Sequence, residues 1–227
     1  MPNDVLYNPV FNALSSGDLH FANGTNSVRY FHEEVSPFVG FPDGYKKGFD
    51  ELHDLLPEGR RVLYAIPIPI HPPRGWKLAA EINGLQFVFE KAKSATPITT
   101  TPIELNESHV EEMIQLATLT KPGPFNSRTI EFGFYHGIFE DGRLAAMTGQ
   151  RLHVEDYTEI SAVCTHPDFL GKGYAGALMQ HQIQLILSQG KTPFLHVRED
   201  NARAIGLYER LGFRVNRKMN FYFMKRF

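Results

Sequence analysis

A chain of 227 residues, 42% hydrophobic and 21% charged, is long enough for one large or two small globular units, and its composition is too ordinary for a disordered or fibrous protein. The formal net charge of −2 lacks the basic bias of a nucleic-acid binder, so no nucleic-acid partner is expected. One cysteine, Cys164, excludes a disulfide framework, and the ten histidines fall at no ligand spacing, so no metal is expected.

The first residues, MPNDVLYNPVFNALSSGD, lack the basic flank and apolar run of a signal peptide, and no apolar run approaches membrane-spanning length. A cytoplasmic protein with no membrane partner is the expectation. Residues 1–93 are rich in aromatics, Gly and Pro. They predict a short helix over Leu6–Leu14, strands at Ser27–Phe31, Arg61–Ile66 and Leu85–Phe89, and a helix over Phe49–Leu56. The prolines of IPIPIHPPRG (Ile66–Gly75) cannot donate to a ladder, which makes that stretch an edge or a rigid loop.

SATPITTTP (Ser94–Pro102) is polar and proline-punctuated, the expected boundary between a 1–93 lobe and a 103–227 domain. After it, Ser108-His109-Val110-Glu111 has capping-box spacing and opens an amphipathic helix to about Leu119. TKPGPFNSRT (Thr120–Thr129) reads as a loop or a broken helix. Asp141-Gly142 joins strands Phe134–Glu140 and Arg143–Leu152 in a hairpin, because both turn positions need positive φ. Tyr157–Thr165 is a further strand, followed by a glycine loop, a helix over Ala175–Gln189 and a strand at Pro193–Val197. A last helix, Ala202–Leu211, stops at Gly212, and strands Phe213–Arg217 and Asn220–Lys225 close the chain.

Within DFLGKGYAGALM, Gly171-x-Gly173-x-x-Gly176 satisfies the dinucleotide fingerprint, and Glu199 and Asp200 follow the next strand. That fingerprint needs its first glycine at the very end of a strand, whereas THPDFL, with the break at Pro167, separates the strand from Gly171. The preceding strands are also joined by a hairpin, not by crossovers. An NAD site is therefore set aside. The phosphate reading is kept, because amides at the start of a helix form an anion cradle that glycines let a ligand approach closely.

EISAVCTHPDFLGKGYAGALM, PFLHVREDNARAIGLYERLGF and the Asp-Gly hairpin together resemble the GNAT superfamily of acyl-CoA-dependent N-acyltransferases, nearest its glycine N-acyltransferase-like branch. The resemblance covers about Pro102–Phe227; the N-terminal part is similar, more loosely, to the divergent leader of some members. It implies an α/β (α+β) fold with a mixed, partly antiparallel sheet flanked by helices, extended by a smaller α+β lobe. The implied co-substrate is acetyl-CoA or coenzyme A, and the implied acceptor a small-molecule amine or an amino acid. A homodimer is compatible with it.

The family's loop signature falls on Leu170, Gly171, Lys172, Gly173, Tyr174 and Ala175, with Gly176 following; Leu170 departs from the usual polar first residue. Val163, Cys164 and Thr165 would carry the backbone that pairs with the pantetheine arm. Strict alternation puts Glu159, Ser161, Val163 and Thr165 on one face and Cys164 on the other. Cys164 then reads as core more readily than as a nucleophile, and His166 as a turn residue.

Asn201 and Tyr208 match the family's Asn and helix-borne Tyr. Seven residues are two helical turns, so they share a face. The resemblance makes Tyr208 the proton donor to the leaving thiolate and Asn201 a contact to the cofactor arm as well as a helix cap. Glu159 is either the general base or a plain strand-start carboxylate. An amide near Val163 would serve the oxyanion. For the acceptor, the loop beginning at Thr120 offers Lys121, Phe125, Arg128 and Glu131, with Tyr135 and His136 beside it. A non-catalytic coenzyme A-binding module and a longer acyl donor stand as alternatives.

Overall fold

The computed structural model describes residues 4–91 and 100–227. Among them lie five α-helices, α1 (Pro9–Ala13), α2 (Gly48–Leu55), α3 (Val110–Thr120), α4 (Tyr174–Ser188) and α5 (Ala202–Leu211). The strands are β1 (Asn23–Gly24), β2 (Arg29–Tyr30), β3 (Phe38–Gly40), β4 (Arg61–Ile66), β5 (Trp76–Phe89), β6 (Ile103–Glu104), β7 (His136–Glu140), β8 (Arg143–Val154), β9 (Tyr157–Thr165), β10 (Thr192–Arg198) and β11 (Phe213–Arg226). All eleven belong to one mixed sheet, ordered β1-β2-β3-β4-β11-β5-β10-β9-β8-β7-β6.

The N-terminal residues extend this sheet and also enter it. β5 lies between β10 and β11, antiparallel to both, so the sheet is continuous across the expected boundary. Of the boundary segment 94–102, residues 94–99 lie outside the described residues. β5 is longer than its apolar end, Leu85–Phe89, predicts. Its first half, with Ala79-Ala80-Glu81, carries no apolar alternation and is ordered by pairing along β11. The two expected C-terminal strands are one fourteen-residue strand with a bulge between Val215 and Arg217.

Apolar side chains fill both faces. α1 and α3 cover one, where Val10, Met113 and Leu116 meet Leu63, Cys164 and Phe194. On the other, α2 packs on β4 and β11 through Leu52, Tyr64 and Tyr222, and α4 and α5 on β5 and β10 through Met179, Ile183, Phe87 and Leu195. The expected hairpin is present, with Asp141 at φ 51 and Gly142 at φ 73. The capping box is shifted by two residues. Asn106 accepts from the Ser108 N–H while His109 Nδ1 accepts from the Asn106 N–H, opening a 3-10 turn that leads into α3.

Candidate functional site

β9 and β10 run parallel over only three residue pairs, Tyr157–Glu159 against Thr192–Phe194. Beyond them β10 stays with β5 and a gap opens beside β9. β9 is also bulged: Ala162 has φ 53, and the register with β8 slips between Met147/Cys164 and Gly149/Ser161. An extra residue reverses alternation, so Ala162 and Cys164 face the α1/α3 layer and Val163 faces α4 and α5. Glu159 therefore shares the face of Cys164, not that of Val163 as strict alternation predicts. The His166 N–H donates to Ala145 O on β8. Alternation back from it turns the amides of Val163 and Thr165 into the gap.

A cavity of about 920 Å³ follows this gap from the start of α4 to the α1/α3 face. Its loop end is lined by Leu170, Gly171, Gly173, Tyr174, Ala175 and Gly176, and its flank by Val163, Cys164, Thr165 and Asn201. Gly171 and Gly173 have φ of 85 and 82, and a Cβ on either would meet nothing within 4 Å. These glycines therefore supply a left-handed backbone facing open space. Gly173 caps α4 without any side-chain acceptor, and the Ala177 N–H is the first to bond back, to Gly173 O. The earlier amides of the turn thus have no partner within the helix, and the positive helix end adds to their pull on an anion. Lys172 departs from expectation. It does not line the cavity and pairs outward with Glu140, which Tyr174 also contacts.

Asn201 caps α5, its Oδ1 accepting the Ala204 N–H at 3.1 Å, and lines the cavity as well. Tyr208, two turns on, is 6% exposed, and its hydroxyl has no hydrogen-bond partner among the described residues. Burial, with a smaller contribution from nearby Cys164, pushes the phenol up to about 12. Burial likewise raises the Cys164 thiol to about 11, so it stays protonated as a core residue does. His166 opens a 3-10 turn, accepting the Asp168 N–H at Nδ1, and its Nε2 lies 3.1 Å from Arg143 Nη2.

Glu159 is not placed as a base. It is 0% exposed, does not reach the cavity, and both its oxygens are occupied. Arg151 holds them in a bidentate pair at 2.8 Å each, and His196 Nδ1 lies 2.7 Å from Oε1. Burial alone would raise this carboxyl. The charge and hydrogen bonds of Arg151, joined by those of His196, outweigh it and hold Glu159 well below the ordinary carboxylate range. The row continues along the sheet. His196 Nε2 meets Gln86 Nε2 at 3.1 Å, and Gln86 accepts from Asn216. Polar side chains from β8, β9, β10, β5 and β11 thus form one ladder, whose cavity-facing members are Arg151 and His196.

Neither Arg151 nor His196 was singled out by the sequence. A plain hairpin at Glu155-Asp156 pairs Leu152 with Glu159, since Val154 opposes Tyr157 and His153 opposes Thr158. A slip before Gln150/Ile160 brings Arg151 alongside instead. Only the charge pattern, an arginine eight residues before a glutamate across a turn, hinted at the pair.

A second cavity, of about 1160 Å³, adjoins the first; Lys121, Gly123, Pro124 and Phe223 line both. Of the expected acceptor residues, Phe125 lines it and Lys121 stands at the seam. Arg128 and Glu131 do not line either cavity; they pair with each other at the surface, 2.5 Å apart. Tyr135 is 1% exposed and packs edge-on against Phe125 beside Gly149, where a Cβ would overlap its ring. His136 packs edge-on against His181 and lines neither cavity. Among the described residues no cluster of His, Cys, Asp and Glu could hold a metal ion, and no helix is long and apolar enough to cross a membrane.

A family model described as FR47-like protein matches residues 135–222. The fold superposes with a TM-score of 0.91 and 31% identity on a GNAT-family protein of Novosphingobium aromaticivorans assigned as an acetyltransferase, covering 99% of this chain and 100% of that one. A GCN5-related N-acetyltransferase of Kribbella flavida is alike in fold alone, with a TM-score of 0.65 and 14% identity over 96% of this chain and 95% of that one. In sequence, 77 residues are 34% identical to the ribosomal protein bS18-alanine N-acetyltransferase of Escherichia coli K12, or 34% of this chain and 51% of that protein. The chain thus spans about half the length of this curated relative.

Proposed function

This chain belongs to the GNAT family, and from that premise we propose that it transfers an acetyl group from acetyl-CoA to a primary amine of a small molecule or an amino acid. The observation that carries the reading is the continuous cavity, which joins an uncapped helix end and two left-handed glycines to an unpartnered buried phenol. Acetyl-CoA supplies the thioester carbonyl and the thiol leaving group.

The amides of the first α4 turn, with Gly171 and Gly173, would hold its pyrophosphate; Val163, Thr165 and Asn201 would line its arm. The Val163 amide, which alternation turns into the gap, would donate to the developing oxyanion. The Tyr208 hydroxyl keeps its proton at neutral pH, because its pKa is pushed to about 12. Against a thiol of ordinary pKa about 8.5, such a phenol stabilises the departing sulfur by hydrogen bonding more than by full proton transfer.

Among the described residues no carboxylate lines this cavity, and both nitrogens of His196 are engaged. The amine is therefore the part of the reaction that must arrive neutral, and attack is direct because Cys164, kept protonated by burial, is not an activated nucleophile. The finer placement in the glycine N-acyltransferase-like branch is part of the same proposal; it rests on the motifs quoted above.

The test is Tyr208→Phe, with acetyl-CoA and a panel of primary amines. We expect kcat to fall at least tenfold, below the roughly 10²–10⁴ of full general acid catalysis because the phenol donates a hydrogen bond more than a proton, with coenzyme A affinity retained. An unchanged kcat would remove Tyr208 from the chemistry. Coenzyme A binding without acylation of any amine would leave a binding module in place of the enzyme.

A further inference from the structure

We propose that Arg151 is the specificity-determining residue of the acceptor side and that it recognises a carboxylate, so that the acceptor is a free amino acid or another amine bearing a carboxylate close to it. This rests on the acetyl-transfer reading and names the substrate class for it.

The guanidinium has two edges. Nε and Nη2 are both spent on Glu159, at 2.8 Å each. Nη1 makes no hydrogen bond among the described residues, although the side chain is only 12% exposed. It points to the seam of the two cavities: a Cβ on Gly123, which lines both, would lie 4.0 Å from Nη1. A buried guanidinium with an unpaired edge facing a cavity is matched by a carboxylate, which accepts charge-assisted hydrogen bonds from it.

The edge is held in place. Glu159 fixes the plane on one side, and the Phe38 ring lies under Cζ at 4.8 Å. His196 and Gln86 hold Glu159 in turn through the ladder. Recognition groups locked by packing and by hydrogen bonds behind them impose geometry on the ligand.

The electrostatics of the outer cavity agree. Arg61, Lys77, Lys121 and Lys225 line it, and none of the four makes an ion pair among the described residues. Of its two carboxylates, Glu33 is paired with Arg60 at 3.0 Å, which leaves Glu34 against the four cations. Unpaired cations around an open cleft draw an anionic acceptor towards Arg151. Arg151 and Val163 line the same cavity, so an acceptor whose carboxylate is held at Nη1 presents its α-amine within the space where the thioester would be attacked.

The experiment measures acetyl-CoA-dependent acetylation of matched pairs: L-alanine with L-alaninamide, L-phenylalanine with its amide, and L-glutamate with its diamide. For the wild type we expect kcat/KM to favour the free acid of at least one pair tenfold or more. Arg151→Lys keeps a charge for Glu159 and removes the second edge; it should raise KM for the acid tenfold or more relative to the amide. As a readout in the wild type alone, the 2-hydroxy acid analogue should compete with the amine.

Amides used as well as acids, or a preference that survives in Arg151→Lys, would overturn the inference while leaving acetyl transfer standing. No acetylation of any member, with coenzyme A still bound, would remove the acetyl-transfer reading and this inference with it.

Discussion

The two ends of the main cavity are built from different materials. The loop end is backbone: two left-handed glycines, an uncapped helix and strand amides turned into a gap. The far end is side chains: Arg151 and His196 face the cavity with Glu159 and Gln86 behind them, each supplied by a different strand. A backbone site tolerates most changes of side chain but not of conformation. A side-chain ladder is the reverse, since every member depends on the next for its charge or its tautomer.

Substitutions should separate the two ends, and the largest effect is expected at Glu159→Gln. Removing one partner of a buried ion pair leaves the Arg151 charge uncompensated, at a cost of about 3–5 kcal/mol. Chemical denaturation of the variant measures it. If Glu159 were instead a general base, kcat would collapse and stability would scarcely move. The pH dependence has a definite sign. A carboxyl whose folded pKa lies below its unfolded value of 4.5 contributes stability that is present above that value and lost as pH falls through the folded one. Glu159→Gln should lack that portion of the acid limb, which denaturation at a series of pH values would show.

Next in size is Gly173→Ala. Its φ of 82 is left-handed, and open space means that strain, not a clash, is the cost. A penalty of about 1–2 kcal/mol should weaken coenzyme A binding roughly tenfold, read by calorimetry, while KM for the amine holds. A Gly173→Ala protein that bound coenzyme A as before would break the backbone account of the loop end.

The activity profile with pH should follow the amine. With no free carboxylate on the cavity among the described residues, kcat/KM should rise about tenfold per pH unit up to the amine's own pKa, which is about 7.7–8.0 for an amino-acid amide and higher for a free amino acid, whose carboxylate stabilises the ammonium. Tyr208, protonated to about 12, should impose no fall below pH 10. An acid limb near the carboxylate range would point to a base not identified in the geometry.

The smallest effect belongs to the rim. Lys225→Gln, at an exposed and unpaired cation, should raise KM for an anionic acceptor only a few-fold, and added salt should erase the difference, because the Debye length is about 8–10 Å near physiological ionic strength.

The loop end was legible in the sequence because its parts are neighbours in the chain. Leu170 to Gly176 form one turn and one helix start, and Asn201 and Tyr208 sit two turns apart on one helix. Only Lys172 left the set, drawn outward by Glu140 across the hairpin strand. The acceptor end was not legible. Arg128 and Glu131 looked functional as charges on a loop, yet they satisfy each other. Glu159 was singled out on the right strand with its role left open, but alternation without the Ala162 bulge put it on the other face and nothing nearby announced Arg151.

By itself, then, the sequence determined what short-range rules govern: the glycine conformations, the helix start and stop, the Asp-Gly turn and the spacing of Asn201 to Tyr208. The tertiary structure decided what depends on register and on strand order. It set β5 between β10 and β11, slipped β8 against β9, and so aligned four distant polar residues on one face. The reason is physical: a turn's preference is stored in a few adjacent residues, whereas a buried charge finds its partner only when the whole sheet has closed around it.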